Sequence, residues 1–190
     1  MKKIRVTLLS GLCLLAVSSP SAIGGTIEAI NHTKWAINRF SVNGQSGLDT
    51  IGPFQGGGGG CCFGAPKQWK PGMTVRVDWE TGVAYASDVP SIPEPKRPVE
   101  HGQSPEAWHE ECMIYFEKKQ AWNQKIRALS KKHTRIVPLP DYTGQKTCGI
   151  TVHFFPCDQV KVTTSCALYG YPDYPVKEPL QMKEPAVCPK

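Results

Sequence analysis

Residues 74–80 carry the plainest pattern in the chain, with Val75, Val77 and Trp79 alternating against Arg76, Asp78 and Glu80. A period of two turns one set of side chains to a core and the other to water, which predicts a half-buried β-strand. Residues 26–31 and 35–42 read as two shorter strands joined by the polar turn Asn31-His32-Thr33. In the second, Trp35, Ile37 and Phe40 alternate imperfectly with Asn38 and Arg39, which predicts a bulge. Asn43-Gly44 follows as a turn, because both residues tolerate positive φ. Residues 135–140, 149–155 and 159–163 complete the strand candidates, Val152 and Phe154 alternating with His153 and Phe155.

The period changes after residue 104. Ser104-Pro105-Glu106 is a helix start: serine caps free amides, proline suits the first turn and glutamate suits the dipole. From there to residue 132 one stripe recurs at spacings of four and three: Trp108, Cys112, Tyr115, Lys119, Trp122, Ile126 and Leu129. Lys131, Lys132 and His133 stand at its end, where positive charge is favoured. The plain expectation is that this stripe covers a sheet, in which case Trp122→Ala costs about 3–5 kcal/mol. The sharper one is a partner-binding helix: Met113 and Phe116 widen the apolar face, and Trp108 and Trp122 supply large aromatics. Before the helix, Pro90, Pro93, Pro95 and Pro98 exclude regular structure, so residues 87–132 read as a proline-rich excursion plus helix. The tail, 169–190, carries five prolines and no strand pattern, and must lie along the surface or be disordered.

Five consecutive glycines, Gly56 to Gly60, run into Cys61-Cys62. Such a run favours neither helix nor strand, and reads as an ordered loop where backbone passes close to something. It lacks the company of a phosphate cradle or a nucleophile turn, since no Gly-Lys-Ser/Thr follows and no Gly-x-Ser-x-Gly exists. Residues 1–24 have the order of a signal peptide: Lys2, Lys3 and Arg5, an apolar run, then small residues. Export to the periplasm or beyond is the expectation, with a single domain over 25–190. Leu9-Ser10-Gly11 before Cys13 resembles the start of a lipobox, but Leu12 stands where a small residue is needed. Lipid anchoring stays open as the alternative against which Leu12 argues.

The formal charge of +6 falls to +3 once Lys2, Lys3 and Arg5 leave with the signal. No basic stripe with interleaved aromatics appears, which argues against nucleic acid. Of the eight cysteines, seven remain after Cys13, which in an oxidising compartment implies bridges plus one thiol. If 148–157 is continuous strand, Cys148 and Cys157 lie about 30 Å apart and cannot pair. Cys61 and Cys62 point to opposite sides of an extended backbone and should seek separate partners. The expectation is Cys166–Cys188 pinning the tail, a second bridge from Cys61 or Cys62 to Cys148 or Cys157, and Cys112 as the thiol.

Metal chemistry is poorly supported: His109 and Cys112 lie three apart on the helix, but no second pair completes a site. His153 reads as a packed residue and nothing local marks a nucleophile, so neither cofactor nor metal is expected and the chain is read as a non-enzyme.

Asn31-His32-Thr33, Phe40-Ser41-Val42-Asn43-Gly44, the glycine run into Cys61-Cys62, Trp69-Lys70-Pro71-Gly72, Val75-Arg76-Val77-Asp78-Trp79, Val152-His153-Phe154-Phe155-Pro156 and Tyr174-Pro175 occur here in one order. Together they resemble the bacterial family called domain of unknown function 3304, apart from the proline-rich excursion and helix. The resemblance implies a small exported protein. It also implies an immunity role, because some members look like partners of type VI secreted phospholipase effectors. The expected fold is mainly β, an antiparallel β-sandwich or open barrel with one long inserted α-helix. The expected function is an immunity-type binding protein that occludes a lipase. The alternatives are an envelope structural or adhesion module, and an enzyme using Cys61 or Cys62.

Overall fold

The computed structural model describes residues 22–48, 50–83 and 92–189, with side chains from Gly24 onward. Of the expected signal peptide, residues 1–21, with Cys13, lie outside the described residues, and residues 22–24 belong to β1. Among the described residues, eight strands form two four-stranded sheets: β1 (Ala22–Asn31), β2 (Ala36–Val42), β3 (Gln45–Ser46), β4 (Gly56–Pro66), β5 (Thr74–Gly82), β6 (Lys131–Pro138), β7 (Thr147–Phe155) and β8 (Gln159–Ser165). One sheet runs β4-β1-β7-β8 and the other β3-β2-β5-β6. This is the expected mainly β sandwich, antiparallel except that β1 and β7 pair in parallel, Thr26 opposite Gly149 through Asn31 opposite Phe154.

The alternating residues meet between the sheets. Val75, Val77 and Trp79 enter the core as their pattern predicts, and Phe154 lies edge-on to Phe40 with centroids 5.7 Å apart. The bulge expected in β2 falls at Asn38, between Ile37 opposite Thr81 and Arg39 opposite Glu80. Asn43 and Gly44 take φ of 50° and 82° in the turn to β3.

Four expectations about the strands and cysteines change. The glycine run is not a loop: it is the first half of β4, the edge strand paired to β1. Glycine is needed because the chains crowd: a Cβ on Gly60 would strike the Ser46 carbonyl, and Gly58 has φ +115°. Second, Cys61 and Cys62 are bonded to each other. Alternation fails there because Thr26 faces Cys61 and Gly25 faces Phe63, leaving Cys62 as the extra residue of a bulge. Third, the two remaining bridges are Cys148–Cys166 and Cys157–Cys188, not Cys166–Cys188. The tail is pinned, but to the β7–β8 turn. Among the described residues Cys112 is the free thiol, as expected. Fourth, Lys131, Lys132 and His133 are not the end of the helix but open β6, where their backbones pair with β5 and His133 stacks on Trp79 at 4.9 Å.

The helix, α1 (Pro105–Ala128), starts as read, with the Ser104 hydroxyl accepting from the Ala107 amide. It does not cover a sheet; none of its residues is buried. The stripe instead meets the proline-rich segment before it. Trp122 Nε1 donates to the Ile92 carbonyl at 2.9 Å, Lys119 pairs with Glu94, and the Lys119 ammonium lies 4.0 Å from the Trp122 ring centroid. A 3–4 stripe specifies that something is covered, and here a strap of residues 92–98 suffices. Trp122→Ala is therefore expected to lower the unfolding free energy of the sandwich, read by urea, by under about 1 kcal/mol while exposing the arm to protease. A loss of 3 kcal/mol or more would show that the helix is tied into the core.

Candidate functional site

The tail makes a third layer. Along β7, Val152 and Phe154 face the main core, so His153 and Phe155 face the other side. There Tyr174 and Val176 are buried against Phe155, with Tyr169 and Met182 partly buried beside them. The Met182 amide donates to the His32 carbonyl at 3.2 Å, and Tyr169 donates its hydroxyl to the Glu178 carbonyl.

Under this layer lies a row of polar groups with no access to water. His32 is fully buried in the turn after β1, His153 is fully buried on β7, and Tyr174 is buried in the tail. The turn that presents His32 is fixed by Asn31. Its Oδ1 accepts from the Thr33 amide and hydroxyl, and its Nδ2 donates to the Trp35 and Gly52 carbonyls. His32 Nδ1 stands 2.8 Å from the Pro179 carbonyl, His32 Nε2 2.9 Å from His153 Nδ1, and His153 Nε2 2.7 Å from the Tyr174 hydroxyl.

The direction of the chain follows from its last member. A carbonyl only accepts, so His32 Nδ1 carries the proton and its Nε2 accepts from His153 Nδ1–H. His153 Nε2 must then accept from the Tyr174 hydroxyl. All three groups are neutral. Burial lowers the pKa of His32, and burial, followed by the neighbouring His32, lowers His153 to about 3. Burial likewise pushes the Tyr174 hydroxyl up to about 12.

Tyrosine, histidine and an orienting histidine resemble a nucleophile, base and positioning group in outline. The electrostatics argue otherwise. Burial disfavours both a tyrosinate at Tyr174 and an imidazolium at His153, which opposes proton transfer along the row. The row holds the tail, pairing the buried Tyr174 hydroxyl and the Pro179 carbonyl. Beside Tyr174 the uncovered part of the sheet forms a groove of about 530 Å³, lined by Thr26, Glu28, Gly57, Thr151 and Tyr169.

The sequence-predicted site residues do not share one surface. Trp108 and Trp122 are half-buried towards the strap, whereas Met113 and Phe116 stand in solvent at 48% and 59% exposure. Cys112 lines a small cavity with Trp108, Tyr115, Phe116, Arg97 and Pro98. Cys61 and Cys62 are bonded to each other on the exposed side of β4. Cys157, Cys188 and Glu184 lie within metal-ligand distance, but the two sulfurs are joined. The His32–His153–Tyr174 row was not foreseen, since His32 and His153 are 121 residues apart. Its only signal is that each member sits in one of the short motifs Asn31-His32-Thr33, Val152-His153-Phe154 and Tyr174-Pro175.

A family model described as "Protein of unknown function (DUF3304)" matches residues 30–162, a span that contains His32, His153 and the whole helical arm. No curated protein and no solved structure matches the chain.

Proposed function

Starting from the fact that the chain belongs to the DUF3304 family, we propose that it works by binding another protein, with the outer face of the helical arm as the contact. One observation carries this reading. A 24-residue helix that buries none of its residues exposes Met113 and Phe116, three residues apart and so on one side of it, near its middle. Large apolar side chains grouped on an exposed helix form the kind of anchor that binding hot spots use. The sandwich behind it, with β7 tied to the end of β8 and to the tail by Cys148–Cys166 and Cys157–Cys188, supports a protein that presents a surface.

The three bridges fit a non-cytoplasmic compartment. Among the described residues no helix is long and apolar enough to cross a membrane. The bridges, with the basic and apolar order of the first 24 residues, support a periplasmic site of action. The family resemblance supports a secreted phospholipase of the type VI system as the partner, neutralised by occlusion.

Capture from periplasm with the exported chain tests both parts. A lipase-type protein is expected on the wild-type chain, and at least tenfold less of it on Phe116→Glu. Melting should be unchanged, because Phe116 is exposed. Equal capture by the variant would move the contact off the arm. Capture of proteins without any lipase would remove the effector reading and leave the binding one.

A further inference from the structure

We infer that residues 169–182 of the tail form a flap that lifts from β7 as the medium turns acidic and reseats at neutral pH, while the two sheets stay folded. The helical arm and its partner play no part in this motion.

The proton count of the buried row carries the inference. Each imidazole has one nitrogen that donates and one that accepts. His32 Nδ1–H goes to the Pro179 carbonyl, His153 Nδ1–H goes to His32 Nε2, and His153 Nε2 takes the Tyr174 hydroxyl. No ring nitrogen is left over for another proton. One added at His32 Nε2 would stand head to head with the His153 N–H across 2.9 Å. One added at His153 Nε2 would force the Tyr174 hydroxyl, 2.7 Å away, to turn its own hydrogen off the row. The surroundings supply no free counter-ion. Lys161 of β8 and Glu178 of the tail act on both imidazoles but are paired with each other, and Glu28 of β1 acts on the Tyr174 hydroxyl. The rings of Phe155 and Tyr169 pack against both histidines. Water reaches these nitrogens only when the tail above them rises.

The tail is the part that gives. It adds no strand to either sheet, and Tyr174 and Val176 pack with Phe155 in a small cluster separate from the core between the sheets. Beyond the row it is tied by the Met182 amide on the His32 carbonyl, by the Lys161–Glu178 pair and by the Glu184 carboxylate on the Cys157 amide. Cys166 and Cys188 stay bonded to Cys148 and Cys157, so a lifted flap remains attached at both ends. With the flap up, both imidazoles are hydrated and regain the ordinary value of 6.5 that burial lowers. The lifted form therefore binds more protons than the seated one. From His153 alone its share grows about tenfold per pH unit below about 6.5. Lifting uncovers Phe155 and His153 beside the groove at Tyr174.

Native-state hydrogen exchange on the exported chain, with its bridges intact, tests this. After correction for the intrinsic rate at each pH, the Met182 amide should lose about tenfold in protection per pH unit between pH 6 and 5. Its exchange should hardly respond to low urea, as a local opening exposes little surface. The Val77 and Trp79 amides of β5 should exchange far more slowly, with the steep urea dependence of global unfolding. His153→Gln is expected to flatten the pH dependence at Met182, and His32→Gln serves if that variant does not fold. Equal urea dependence at Met182 and in β5, or equal Met182 protection at pH 7 and 5, overturns the inference in the wild type without any variant. An unchanged pH slope in a folded histidine variant overturns it as well.

Discussion

Gly149→Ala is expected to leave little folded protein. Gly149 sits in β7 opposite Thr26 of β1, with φ +115°, a conformation that an L side chain rarely adopts. A methyl group there would overlap the Thr26 carbonyl oxygen and amide nitrogen, backbone atoms that cannot turn aside. Gly25 makes the reciprocal approach, its missing side chain directed at the Gly149 backbone. Relief would require β1 and β7 to separate, and this parallel pair joins the two ends of the chain. The combined strain and lost pairing should exceed about 4 kcal/mol, a large share of the stability of a domain this size. Expression yield and urea unfolding read the effect. Gly24→Ala is the control, because nothing lies within 4 Å of its side-chain position, and it should change stability by less than about 0.5 kcal/mol. Two variants of equal stability would show that the strands are not packed this closely.

The second large effect is with acid. His32 and His153 have folded pKa values below the unfolded value of 6.5, so the unfolded chain binds more protons than the folded one as pH drops beneath it. Stability is therefore fully present above about pH 6.5 and is lost as pH falls, for His153 all the way to about 3. His153 alone should remove about 1.4 kcal/mol per pH unit. The charged neighbours oppose each other, Glu178 favouring the protonated imidazoles and Lys161 disfavouring them. The depressed carboxylates Asp78, Glu80 and Glu178 also lose stability in acid, but only below their ordinary values near 4. Between pH 6.5 and 4.5 the slope therefore belongs to the imidazoles. Urea midpoints at pH 7, 6 and 5 should fall steadily for the wild type and much less for His153→Gln. Parallel slopes would mean that His153 titrates in the folded state as it does in water.

How far the sequence speaks depends on whether a signal is local. Val75, Val77 and Trp79 reach the core because alternation needs no partner to be read. Ser104 and Pro105 begin the helix because caps are local chemistry. The Trp108 to Ile126 stripe was legible as a covered face, yet its cover is a strap of prolines and not a sheet. Spacing reports that a face is hidden without saying by what. Cys61 and Cys62 were misread because alternation was assumed through a bulge, and a bulge is set by the register with β1. The parallel pairing of β1 with β7 and the meeting of His32, His153 and Tyr174 depend on contacts across more than 100 residues. No period along the chain encodes them.

The two bridges of the tail have a mechanical consequence. Cys166 is tied to Cys148 at the start of β7, and Cys188 to Cys157 just past its end. The tail and β7 thus close a covalent ring. A load applied at the carboxyl end does not peel the tail off the histidines one bond at a time. It crosses from Cys188 to Cys157 and enters an interior strand of the sheet, so the ring bears tension as a unit. A protease that nicks the tail between Cys166 and Cys188 releases neither piece.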